Sequence, residues 1–216
     1  MRLVQGMLSL GLGRSTFEKV CVNMNLHIIS SRTFNFYKKK ILDGHPFAAN
    51  QMLFNIRKDV KEAYGSRNDN DIVDIGISYD GSWLTRGHTP NIGIGCVIDL
   101  LTVFLIVYEV MSKRCEECHQ TKLALGEDTA ESQFWYEGHR DFCSVTHAGS
   151  SGSMKVKAAI KLWERSESIG FRYTSLLSDG DSKAFLELNE RKIYGSQVEI
   201  KKEECINYVS KRPKQL

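Results

Sequence analysis

Apolar positions recur at helical spacing over the first 65 residues and switch to alternation beyond them. Ser15-Thr-Phe-Glu18 reads as a capping box, in which the serine hydroxyl and the glutamate satisfy free N–H groups at a helix start. Phe17, Val20 and Cys21 continue that helix. A turn around Asn25–Ile29 leads to a second start at Ser30 or Ser31, on a helix that carries Phe34, Tyr37 and Lys38–Lys40. A longer helix is predicted from about Pro46 to Tyr64, with Gly65 as its stop. Two short helices joined by a tight turn, the second basic, fit a helix-turn-helix and equally fit any small helical bundle. The polar run Ser66–Asp71 reads as a linker, so residues 1–65 form an N-terminal helical segment and 66–216 a second part.

In that second part Ile75, Ile77 and Tyr79 alternate with Gly76 and Ser78 up to Asp80. Further strands fit Asn91–Ile98 and Val103–Val110, and the short connections suggest an antiparallel meander. Residues 111–150 read as an irregular insertion rich in Cys and His. A helix fits Ser153–Ser168, with Ala159, Leu162, Trp163 and Ser166 on one face, and Gly170 ends it. Tyr173–Ser178 is predicted as a fourth strand, Lys183–Glu190 as a short helix with Phe185 and Leu188 inward, and Gln197–Ile200 as a fifth strand. Another helix is predicted from Glu203 to Arg212. The order β-β-β-α-β-α-β is that of an α/β protein with an RNase H-like mixed sheet.

The composition excludes several classes. A 42% hydrophobic, 25% charged chain with three prolines is neither disordered, collagen-like nor a solenoid. The longest apolar run, around Val97–Val110, contains Asp99 and is too short for a bilayer. No secretory signal is read at the N-terminus. The net charge of +3 is uneven: residues 1–40 hold seven basic residues against Glu18 alone, a net +6, so the rest sums to −3. Such a basic segment points to a polyanionic partner, or to a plain solvated surface.

Two sets of residues carry chemistry. Asp80 and Asp179 end the first and fourth predicted strands, which are neighbours in an RNase H-like sheet. Paired carboxylates repel unless a divalent cation lies between them, and Mg²⁺ or Mn²⁺ suits hard oxygen ligands in phosphodiester chemistry. Asp181 is a nearby alternative, because Asp179-Gly-Asp181 presents two acids on one turn. The second set is Cys115-Glu-Glu-Cys118 with His139-Arg-Asp-Phe-Cys143. Soft sulfur and imidazole ligands at this spacing favour tetrahedral Zn²⁺ in a zinc-knuckle-like insertion, with His119 and His147 as alternative ligands. Four protein ligands leave no position for a substrate, so such a site is structural. Elsewhere, the loop from His147 to Ser153 reads as an N-capping loop rather than a phosphate loop. His88 is a phosphate-contact or a surface residue, and Trp83, Trp135 and Trp163 read as core.

Taken together and in order, Tyr79-Asp-Gly-Ser-Trp83, Arg86-Gly-His88, Cys115-x₂-Cys118, His139-x₃-Cys143, His147-Ala-Gly-Ser-Ser-Gly152 and Ser178-Asp-Gly-Asp-Ser-Lys183 resemble the Mutator-like transposase domain. The likeness runs from about Leu8 to Arg212. It implies an RNase H-like core with a DDE/D acid triad, Mg²⁺ or Mn²⁺, and cut-and-paste DNA recombination. On that pattern Asp80 matches the first acid and Asp179 the second. Water and then a freed 3′-hydroxyl would attack in line. DNA, as transposon ends and target, is the implied partner, with no membrane role, a nuclear location and a homo-oligomer left open. The family carries a C-x₂-H pair after the second acid; here Cys205 matches but Tyr208 stands in the histidine position. The third acid belongs to a later helix, and Glu203 or Glu204 falls too early for it. The expectation is therefore a chain cut short before the third acid and inactive alone. The alternative is a non-catalytic zinc-containing DNA-binding or interaction module.

Overall fold

A computed structural model describes residues 1–68, 70–83, 91–178 and 182–204. The chain divides into two compact units, Met1–Asn55 and Ile56–Leu216. In the first, α1 (Arg2–Ser9) and α2 (Arg14–Asn23) lead into α3 (Ser31–Ala63), whose C-terminal turns belong to the second unit. Val4, Met7, Phe17, Cys21, Phe34 and Ile41 form the core of the first unit.

Two helix expectations change here. α2 is capped by Gly13, with no side-chain bond, so the capping box at Ser15 does not form; Glu18 instead pairs with Arg14 one turn earlier. The two helices expected around 30–40 and 46–64 are one, since α3 runs through Pro46. Proline removes a single N–H and leaves the Leu42 carbonyl without its helical donor. Leu42 is exposed, and water can satisfy that carbonyl. Ser30 caps α3 by accepting from the Thr33 N–H at 3.1 Å.

The second unit is built on a five-stranded mixed sheet in the order β3-β2-β1-β4-β5. β1 (Val73–Trp83), β2 (Ile92–Asp99) and β3 (Leu105–Ser112) form the antiparallel meander. β4 (Phe171–Ser178) pairs parallel to β1, and β5 (Lys201–Glu204) parallel to β4. The alternation read in β1 is real: Ile75, Ile77 and Tyr79 are buried while Gly76 and Ser78 are half-exposed. The fifth strand lies later than expected, at Lys201–Glu204 instead of Gln197–Ile200, so Glu203 and Glu204 are in a strand and not at a helix start. The remainder of that expected helix lies outside the described residues.

α6 (Ser151–Glu164) and α7 (Ser182–Arg191) provide the helical layer. Ala159, Leu162, Trp163 and Ser166 are all fully buried, as their spacing predicts. Trp163 meets Tyr79 and Tyr173 edge-on, with ring centroids 5.8 and 5.1 Å apart. Gly95 lets α6 approach β2: a Cβ there would lie 3.0 Å from the Ala158 Cβ. The C-terminal end of α3 is tied to the sheet by polar bonds. Arg57 Nε donates to the Ile106 carbonyl at 2.9 Å, and the Tyr64 hydroxyl donates to buried Asp99 at 2.9 Å. Asp99 also accepts from the N–H and hydroxyl of Thr102, each at 2.7 Å, so both its buried carboxyl oxygens have partners.

Residues 111–150 are not irregular. They hold α4 (Glu116–Leu125), α5 (Ala130–His139) and a 3₁₀ turn, Arg140–Phe142. Neither α4 nor α5 contains a buried residue, which explains why no apolar stripe announced them.

Candidate functional site

The sequence of the insertion puts its donors at helix ends. Cys115 is the N-cap of α4 and Cys118 lies in the first turn, where Glu116 and Glu117 suit the positive end of the helix. His139 closes α5, and Cys143 follows the 3₁₀ turn. His139 and Cys143, four residues apart, therefore do not share one helical face; the 3₁₀ turn between them brings Cys143 round. The four donor atoms lie within 4.8 Å of one another. Cys115 Sγ is 3.2 Å from His139 Nε2, and Cys118 Sγ is 3.6 Å from Cys143 Sγ.

These separations suit one ion. With Zn–S near 2.3 Å, a tetrahedral site has ligand–ligand edges of about 3.5–3.8 Å. Burial pushes the Cys115 thiol up, but the backbone N–H groups of Cys118 and Ser144, with the His139 ring, outweigh it and bring the group down to about 6. Burial and the sulfurs of Cys143 and Cys115 push Cys118 up to about 12. Thiolates crowded this closely repel, and a dication between them removes the repulsion. Three sulfurs and an imidazole, with no oxygen in the set, are compatible with zinc by softness and geometry.

Two neighbours escaped the sequence reading. Trp135 stacks on the His139 ring, with centroids 4.5 Å apart and planes at 19°, so it packs on a member of the cluster rather than filling a core. The spacing of four within one helix was its available signal. Glu117 Oε2 lies 3.3 Å from Cys115 Sγ and 3.9 Å from His139 Nε2, an acid at the rim of the cluster.

The alternative ligands are elsewhere. His119 is exposed and outside the cluster. His147 is buried, and its Nε2 meets Ser153 Oγ at 3.0 Å and the Ser150 carbonyl at 3.3 Å. Ser150 accepts from the Ser153 N–H at 3.2 Å and caps α6, so this loop is the N-capping loop expected. Trp163 is core, and Trp83 lies partly buried over Gly93.

Asp80 lies on β1 opposite Cys96 of β2, with its side chain 70% exposed. Its Oδ1 accepts from the Gly81 N–H at 2.7 Å and from Lys155 Nζ at 3.1 Å. Burial, and then the Asp80 charge, push the Cys96 thiol up. β4 is hydrogen-bonded to β1, and the register ends with Ser78 opposite Leu177. Asp179 and Asp181 lie outside the described residues, as do His88, Cys205 and Tyr208. Glu203 lies on β5 and accepts from Ser175 Oγ of β4 at 2.9 Å. Among the described residues, no helix is long and apolar enough to cross a membrane.

No curated protein and no solved structure matches the chain. The family profile described as Mutator-like transposase does match, over residues 1–215. A sheet with Asp80 on its central strand, a Cys₃His cluster in the insertion after β3, and a match across nearly every residue lead to one statement of kinship: this chain belongs to the Mutator-like transposase family.

Proposed function

We propose that the chain is a DNA transposase domain of RNase H-like architecture, acting on phosphodiester bonds through a divalent cation held by Asp80 and Asp179. The observation that carries this is the sheet order. β1 sits between antiparallel β2 and parallel β4, the arrangement an RNase H-like sheet requires. Asp80 and Asp179 each lie two residues beyond the last matched pair, Ser78 and Leu177, so the reading needs only that register to continue. Mg²⁺ or Mn²⁺ would supply activation of the attacking oxygen and stabilisation of the leaving one. Asp80 offers a solvent-exposed carboxylate for it, and Asp181 is the neighbouring reserve. Zn²⁺ in the Cys₃His set is structural. DNA is the substrate, transposon end and target alike, and the nucleus is the location that follows. A homo-oligomer is the arrangement that joining two ends would favour.

The second reading is a non-catalytic zinc-containing DNA-binding or interaction module. The closed Cys₃His set favours it, because that site needs no substrate.

The test is a strand-transfer assay on labelled duplex ends with Mg²⁺ and Mn²⁺, run beside Mn²⁺ and DNA binding. Joined product that disappears in Asp80→Asn establishes the enzyme. Mn²⁺ binding that depends on Asp80, without product, establishes the metal site and an inactive chain. DNA binding with no Asp80-dependent Mn²⁺ establishes the module. In each case Lys38, Lys39 and Lys40 changed to Gln should flatten the salt dependence of DNA binding by about 2–3 in log–log slope.

A further inference from the structure

Asp80 already has a cation. Lys155 reaches it from the second turn of α6, and the reach is built into the fold at three points. The Tyr79 hydroxyl donates to the Lys155 carbonyl at 2.6 Å, pinning that turn of α6 to the residue before Asp80. The Lys155 ammonium lies 6.0 Å from the centre of the Tyr79 ring. The side chain then passes Gly81, where an added Cβ would stand 3.3 Å from Cγ and 3.4 Å from Cδ of the lysine. The lysine side chain is only 13% exposed, while its carboxylate partner is 70% exposed. A surface ion pair costs the ordering of two long side chains. Here the packing has ordered the ammonium beforehand.

We propose that Lys155 is a positioning residue that acts as the resident counter-ion of Asp80: it holds the carboxylate by Oδ1 and lowers the affinity of the site for a divalent metal. This rests on the reading of Asp80 as a metal ligand. An ammonium fixed 3.1 Å from the ligand oxygen repels an incoming dication and competes for the same negative charge. A DNA phosphate arriving with the metal offers Lys155 a second anion, so metal loading is suppressed until substrate is present. Nothing in the motif set marks this residue, because its role depends on α6 crossing the end of β1.

The experiment measures Mn²⁺ affinity of the zinc-loaded full chain by titration calorimetry and Mn²⁺ paramagnetic resonance. Lys155→Met keeps the buried stem and removes the charge; Lys155→Arg keeps the charge. Lys155→Met is expected to bind Mn²⁺ about 5–10-fold more tightly than the unaltered chain, and Lys155→Arg to match the unaltered chain. Asp80→Asn should abolish binding in every background. A gain in affinity is a readout that damage to packing would not produce. If Asp80→Asn loses Mn²⁺ while Lys155→Met binds as the unaltered chain does, the lysine role is overturned and the metal site stands. If Asp80→Asn binds Mn²⁺ undiminished, the metal reading fails and the lysine role fails with it. Should Lys155→Met not fold, Lys155→Gln is measured in its place against the same criteria.

Discussion

The sheet unit and the insertion within it are held together by opposite means. The sheet is closed by apolar contact: Trp163, Tyr173, Phe171, Ile75, Ile77, Leu162 and Leu176 are fully buried in one cluster with α6 and α7. The insertion has two ten-residue helices and no buried position within either. Its buried cysteine lies just outside α4, and what converges there is Cys115, Cys118, His139 and Cys143. Short helices without an apolar face are marginal in water. The lesson is that one region derives order from removing hydrocarbon from water, while the other gathers a donor set compatible with one soft cation.

The most severe way to break the contrast is at the metal. Structural zinc contributes on the order of 10 kcal/mol to small zinc-dependent folds. Cys118→Ser, or a strong chelator, should release about one zinc per chain and expose residues 113–145 to protease while the sheet's thermal transition survives. Loss of both together would show that the regions are one cooperative unit. Next is the sheet. Trp163→Ala should cost about 3–5 kcal/mol in denaturant unfolding, with zinc content unchanged in the fraction still folded. A smaller effect sharpens the comparison inside the insertion. Trp135→Ala removes the ring stacked on His139 and should weaken zinc about tenfold in a chelator competition, leaving the sheet's stability untouched. Smallest is Ser150→Ala, which removes the α6 cap and should cost about 1 kcal/mol in global unfolding, with no change in zinc affinity.

The sheet was legible in the sequence because alternation and short connections write themselves into residue order. Ile75, Ile77 and Tyr79, and the helical face of Ala159, Leu162, Trp163 and Ser166, are buried where their periods place them. The Cys₃His set was legible because ligand spacing is a local property. Three things were not. α4 and α5 lack an apolar stripe, so periodicity had nothing to register. α3 passes through Pro46 on an exposed stretch, residues 42–48, where water can replace the missing N–H, whereas sequence rules read proline as a start. β5 is Lys-Lys-Glu-Glu, and the apolar Val198 and Ile200 just before it drew the expected strand four residues early. The contact of Lys155 with Asp80 was beyond reach for a different reason. It joins residues 75 positions apart, and no local pattern encodes such a meeting.

That charged fifth strand has a consequence for solubility. Among the described residues β5 forms one rim of the sheet, where backbone groups unpaired by β4 could template a foreign strand. It is four residues long, and its sequence is Lys-Lys-Glu-Glu. Successive residues of a strand point to opposite faces, so Lys201, Lys202 and Glu203 put polar heads on both sides of the pleat. Any intruder stacking there would have to strip water from an ion above and an ion below. The cell is thereby spared a sticky margin, at the small expense of a strand that hydropathy alone would never have found.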